Sequence, residues 1–426
     1  MEHAKDFIYV DESPTERKTG KDGSFVITTA ALALCTSSGV VYTFSNPAAP
    51  VGPAGATLIC CILFICGWLT LDFTIKSLNP SDGKLGDELI IGLYPKFKYP
   101  ILFLSRASAF ILNGAYAIGN FLYMQGALQT LWFQYTDISH VNQTIIVFFF
   151  MAACSMILNR KFAALISSLG LPVPIFNVAA VIYFGMKHST PETRQCFKDS
   201  FRHPSNYGLF KSDYKAAIVG GFQLASQFAS TYYCHNLVPI LCLTARTPKH
   251  NRRNATFVII GLFIIYMISM LVGMVPYACY GTSSQYMTAP PSDYVTSFGN
   301  NKFGLAVSVI YLIGLFSNTP YTYSVLRDMA FQWIDWTGKR FLRFVVDVSF
   351  NIVILIFSAL IYYYNVSIQD LLQIGGFSCI VIWMAIIPVF WHVYHNRHGI
   401  YNIILNTFAV CVAIFLILIE ILQFRV

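Results

Sequence analysis

The feature that most constrains this chain is a succession of eleven apolar stretches with little sequence between them. They run over residues 24–46, 54–76, 101–131, 143–159, 162–186, 216–243, 255–280, 303–331, 342–364, 375–395 and 401–424. Crossing a bilayer as a helix takes about 20 mostly apolar residues, because no water is present there to satisfy backbone polar groups. The alternating pattern of a membrane barrel is absent. Composition agrees: of 426 residues, 56% are apolar and only 11% charged, against roughly a quarter charged in soluble domains. The expected fold class is therefore an all-α polytopic membrane protein of about eleven transmembrane helices, in one domain over 24–426. The spans leave no room for a soluble catalytic domain. The first 23 residues are polar and mixed in charge, without the core of a signal peptide, and read as a disordered tail.

Orientation follows from Lys and Arg, which concentrate on the cytoplasmic side of membrane proteins. With the N-terminus inside, cytoplasmic segments hold 19 of the 28 and the opposite side holds 8, six of them in the single loop 187–215. This predicts a cytoplasmic N-terminus and an external or lumenal C-terminus. The net charge of +8 is then the inside bias and needs no nucleic acid. The sequons at Asn142 and Asn365 fit a membrane of the secretory pathway, and the expected location is a plasma membrane or a vacuolar or lysosomal membrane. Asp347 and Glu420, near span ends, are expected to snorkel to water.

The eleven cysteines lie mostly inside spans, with no CxxC and no zinc spacing. Cys196 is the clear exception, in an external loop, and Cys279 is its one candidate oxidised partner.

Two spans carry interruptions. The first holds Thr36, Ser37, Ser38 and Gly39 at its middle, a weak helix because Ser and Thr compete for backbone bonds and Gly adds backbone freedom. Close packing of small residues between helices is the competing account. The sixth gathers Ser230, Thr231, Tyr232, Tyr233 and His235 ahead of Pro239, whose missing N–H frees a carbonyl one turn earlier. An intramembrane histidine is a functional hypothesis by default; a hydrogen bond between helices is the alternative. Breaks five spans apart are what two inverted five-helix repeats give, each opening with a discontinuous helix. Half-helix N-termini then face a carboxylate and carbonyls face an ammonium, which suits an amino acid zwitterion.

Asn113 and Tyr116 in the third span are candidates for the wall of the same cavity. In the eighth, Ser317 and Thr319 flank Asn318 and precede Pro320; their hydroxyls suit a hard cation, or they satisfy a proline kink.

The stretch "FASTYYCHNLVPILCLTARTPKHNRRNATFVIIGLFIIYMISMLVGMVPYACYG" resembles the amino acid/auxin permease family, which includes the sodium-coupled neutral and the vacuolar amino acid transporters. Cys234, His235, Pro239 and Tyr280-Gly281 fit its outline. "GKLGDELIIGLYPKF" and "NVSIQDLLQIGGFSCIVIWMAIIPVFWHVYHN" are similar to its loop before the third span and its tenth-span region. The resemblance implies a leucine-transporter-like fold, five plus five inverted helices and one more, with substrate between the first and sixth and transport by alternating access. Substrate-binding roles then fall to Thr36, Ser37, Ser38, Gly39, Asn113, Tyr116, Ser230, Thr231, Tyr232 and Tyr233. His235 becomes a gate or proton-sensitive group, and Ser317 and Thr319 the ligands of a coupling cation. The first span departs from the family pattern: Ser37-Ser38-Gly39 replaces a Gly-small-Gly motif, Phe44 stands at the later proline position, and Ala33 where the sodium-coupled branch has Asn. Ala33 weighs against sodium coupling, and proton coupling or facilitated exchange stays open.

A channel would want a repeated filter segment, which is absent. An enzyme would want acidic or histidine groups convergent at one depth, and the acids here lie at span ends. The reading is a secondary amino acid transporter acting as a monomer in a lipid bilayer, with no cofactor beyond Na+ or H+ and no nucleic acid partner. A nutrient sensor on a transporter scaffold is the alternative.

Overall fold

A computed structural model describes residues 50–77, 98–173, 191–212, 214–232, 235, 248–268, 302–331, 338–364, 380–395 and 399–422, with isolated positions between them. Every regular element among these is helical. We number the α-helices α1 (Pro53–Ser77), α2 (Lys98–Leu131), α3 (His140–Ser155), α4 (Arg160–Leu169), α5 (Pro191–Arg202), α6 (Lys215–Thr231), α7 (Pro248–Ile268), α8 (Lys302–Phe331), α9 (Arg340–Tyr363), α10 (Ile387–His395) and α11 (Ile400–Leu422). A π-helix, Ile380–Ile386, leads into α10. The set is not identical to the eleven spans. The first span lies outside the described residues, and α5 belongs to the loop 187–215.

Local chemistry accounts for several boundaries. Ser139 caps α3, its side chain accepting from the Asn142 amide, and the Asn159 carboxamide accepts from the Phe162 amide at the start of α4. α7 begins earlier than its apolar stretch suggests. Pro248 opens it, and the basic run expected to be loop forms its first turns, since proline's fixed φ and missing N–H suit a first helical position. α8 runs unbroken through Pro320.

Among the described residues four helical segments are long and apolar enough to cross a membrane: Pro53–Ile75, Leu305–Arg327, Arg340–Tyr363 and Ile400–Leu422. Their packing separates centre from rim. The most apolar window of Leu305–Arg327 is 61% buried, that of Arg340–Tyr363 and of Ile400–Leu422 only 28%, so the last two present most of their surface outward. Asp347 and Glu420 depart from expectation. Both are buried, and Asp347 lies 3.8 Å from Arg343 one turn earlier; a charge that packing encloses is held by a neighbour instead of reaching water.

Three helix pairs, each five spans apart, cross in antiparallel fashion. In α1 and α7, Phe64 meets Phe263 at 4.3 Å, while Gly67, further along, faces the earlier Ile259. In α2 and α8, Asn120 donates to Thr322 at 3.3 Å, and the rings of Tyr123 and Tyr311 lie 6.0 Å apart. In α3 and α9, Asn351 reaches the Ser155 carbonyl and His140 stacks on Tyr362 at 4.7 Å. A two-fold axis in the membrane plane produces this relation between equivalent helices of inverted repeats.

The helices also sort into two packed groups. α1, α5, α6, α7, the π-helix, α10 and α11 pack among themselves, as do α2, α3, α4, α8 and α9. The main contact between the groups among the described residues is α2 against the π-helix.

Candidate functional site

α6 stops at Thr231, well short of the end of its apolar stretch. The Tyr232 amide still bonds the Phe228 carbonyl at 2.9 Å, and the regular helix goes no further. Tyr232 is fully buried. Its hydroxyl lies 3.0 Å from Cys60 Sγ, and its ring stacks on Phe228 and meets Phe64 edge-on. Gly67 makes this approach possible. A Cβ there would sit 3.3 Å from Tyr232 Cβ and 3.2 Å from the Met384 terminal methyl, so the missing side chain lets α1, the end of α6 and the π-helix close on one another.

His235, also fully buried, places Nε2 3.0 Å from Thr70 Oγ1. The same hydroxyl lies 3.0 Å from the Cys66 carbonyl and 3.2 Å from that of Gly67. A hydroxyl has one proton. With that proton directed to its own helix, the remaining lone pair accepts from His235 in the tautomer that carries its proton on Nε2.

Cys60, Phe64, Gly67 and Thr70 thus form one face of α1, and sequence reasoning did not single out any of them. The available signal was their three- and four-residue spacing, with a thiol, a glycine and a hydroxyl recurring on one side of an apolar helix.

The other candidates lie elsewhere. Asn113 is buried on α2, and Tyr116 packs half-buried beside it. On α8, Ser317 donates to the Gly314 carbonyl at 2.9 Å and Thr319 to that of Leu315 at 2.7 Å. Both hydroxyl protons serve the helix backbone, and the oxygens keep lone pairs. Ser317 abuts Gly170, just past α4, so tightly that a Cβ there would collide with it. Nearby, Ser167 donates to Asn318 Oδ1 at 2.5 Å. Tyr232 and His235 therefore belong to one packed group, and Asn113, Tyr116, Ser317 and Thr319 to the other. Of Ser230 and Thr231 the backbone alone is described, as the end of α6. Thr36, Ser37, Ser38, Gly39, Tyr233 and Cys279 lie outside the described residues. Among the described residues no three His, Cys, Asp or Glu side chains converge as a metal site.

Residues 92–424 match a family of known proteins, the transmembrane amino acid transporter proteins. The chain belongs to that family. This transporter's first two spans precede the matched region, and the first is also where its motif departs from the family outline. The transporter is an integral multi-pass membrane protein. No curated protein matches it. Among solved structures it is similar to the manganese transporter of Eremococcus coleocola, crystallised with an aromatic bis-isothiourea substituted compound. The identity is 12% and the TM-score 0.55, over 98% of this chain and 90% of that one. At that identity the likeness concerns the fold alone.

Proposed function

We propose that this chain is a secondary active transporter that moves an amino acid by alternating access, driven by a proton or sodium gradient. The observation that carries the reading is the division of its helices into two packed groups joined chiefly through α2 and the π-helix, in a member of an amino acid transporter family. Two packed groups that share few contacts among the described residues can rock about a central site, which alternating access requires.

The substrate would lie at the break that ends α6, opposite the first span. There the N–H groups of Ser37, Ser38 and Gly39 would take the carboxylate, with Thr36 beside them. The chain from Ser230 to Tyr233 would offer carbonyls to the ammonium, and Asn113 and Tyr116 would wall the far side. Tyr232, bonded to Cys60, holds the break against α1, and His235 with Thr70 closes the path one turn on. Ser317 and Thr319 would give oxygen lone pairs to a coupling cation. The architecture would be leucine-transporter-like, with the chain acting as a monomer and no cofactor beyond the coupling ion.

The deciding experiment is uptake of a radiolabelled amino acid panel into proteoliposomes, with sodium and proton gradients varied independently. Accumulation driven by one gradient is expected. Saturable binding without accumulation under any gradient would overturn transport in favour of sensing. Gly39→Val should abolish substrate-induced thermal stabilisation by filling the space against the backbone. Ser317→Ala and Thr319→Ala should change ion dependence more than substrate preference.

A further inference from the structure

The loop 187–215 holds six cations on the side that otherwise has almost none, and the transport reading leaves them unused. The structure gives them an order. In α5, Arg194, Lys198 and Arg202 recur every four residues and are all exposed, so they form one row along the helix. Ser200 and Phe197 turn inward, Ser200 fully buried and Phe197 against the core. Phe201 borders the cation row, 42% exposed and 5.3 Å from the Phe197 ring. The acids Glu192 and Asp199 fall on the opposite flank, where Gln195 donates to Asp199 at 2.9 Å. The helix is therefore polarised around its axis: buried face, aromatic edge, cation row, acidic flank.

Its position relative to the bilayer follows from what it packs on. α5 rests on α1, and the chain after it docks on the first turn of that membrane-crossing helix. Gly208, at φ +56°, sits so close to the Val51 carbonyl that a Cβ would overlap it, and Leu209 lies over Gly55 of α1 and Gly221 of α6. The segment that follows the helix is thereby anchored where α1 and α6 begin, which sets the helix near that level. An aromatic edge beside a cation row, at that depth, is the arrangement of a helix lying in the headgroup region with its ring among acyl chains and its cations on phosphates.

We propose that α5 binds anionic phospholipid in the leaflet where α1 and α6 begin, Arg194, Lys198 and Arg202 pairing with headgroups and Phe201 entering the boundary below them. Each cation near an anionic surface contributes about 1 kcal/mol, or roughly fivefold in affinity and about a hundredfold for the row.

The test uses the full chain in vesicles of brominated phosphatidylcholine or brominated phosphatidylserine, with Phe201→Trp as reporter and wild type as the blank for the six native tryptophans. The added fluorescence should be quenched more strongly by the serine lipid. Arg194→Gln, Lys198→Gln and Arg202→Gln together should remove that preference, while Glu192→Gln leaves it in place. If the triple variant does not fold, raised salt on Phe201→Trp alone should lower the preference in the same way. Quenching by neither lipid, or equal quenching that charge removal and salt leave unchanged, overturns the proposal. A raised KM for uptake in the triple variant without a lipid effect would overturn it in favour of electrostatic capture of substrate.

Discussion

Asn351, buried in the middle of α9, donates from Nδ2 to the carbonyl of Ser155, the last residue of α3, at 2.7 Å. The final carbonyls of a helix have no partner within it, and in a membrane no water replaces one. The side chain of one helix thus completes another and sets their antiparallel register. Asn351→Leu should lower stability by about 1–3 kcal/mol by stranding that carbonyl, read as the thermal midpoint of purified protein. Asn351→Asp should recover none of it, since an ionised carboxylate brings no donor. An unshifted midpoint in Asn351→Leu would show that the contact adds nothing.

The Cys60 and Tyr232 contact joins α1 to the end of α6. In a double-mutant cycle of Cys60→Ala and Tyr232→Phe, the two changes should couple by about 0.5–3 kcal/mol, the range for residues in direct contact. Additive effects would place the hydroxyl and thiol in separate interactions.

Thr70→Val keeps the shape of the side chain and removes the acceptor 3.0 Å from His235 Nε2. A stranded buried donor costs about 1–3 kcal/mol, so the midpoint should fall. Thr70→Ser should be close to wild type. If valine and serine behave alike, the hydroxyl is not the group His235 uses.

Gly208 adopts φ +56° and lies against the Val51 backbone. Gly208→Ala adds left-handed strain of roughly 1–2 kcal/mol to a direct overlap. The loop should release from α1 and α6, seen as faster proteolysis between Arg202 and Lys215. Gly338, also at positive φ but with open space around it, is the control: alanine there should cost only the strain.

For topology, a tag after Lys5 should be cytoplasmic and one after Val426 external or lumenal, from the charge bias. Finding both on one side would remove the odd number of spans.

Much of the fold was legible in the sequence because hydrocarbon excludes polar side chains, and that exclusion shows directly in composition. The spans from Pro53, Lys302, Arg340 and Ile400 are apolar over the length that a bilayer demands, and their helix bounds in the structure fall within two residues of the sequence reading. The end of α6 was signalled by hydroxyl and aromatic residues ahead of Pro239. Hydropathy starts α7 at residue 255 because Lys249, Arg252 and Arg253 look like loop, while Pro248 opens a helix that takes them into its first turns.

What only the tertiary structure decided is which side of each helix meets which neighbour. Lipid is as apolar as leucine, so hydropathy marks a span without marking its packed face. The face of α1 formed by Cys60, Phe64, Gly67 and Thr70 became visible only once Tyr232 and His235 lay against it. Glu420 was expected at the water and lies buried instead, because its place near a helix end is a property of sequence and its enclosure is a property of the helices around it. The sequence by itself determined that the chain crosses a membrane as helices, since no other backbone arrangement of these residues satisfies its polar groups there. Antiparallel pairing of helices five spans apart and separation into two groups depend on contacts between residues far apart in the chain, such as Asn120 with Thr322, and no local pattern encodes those.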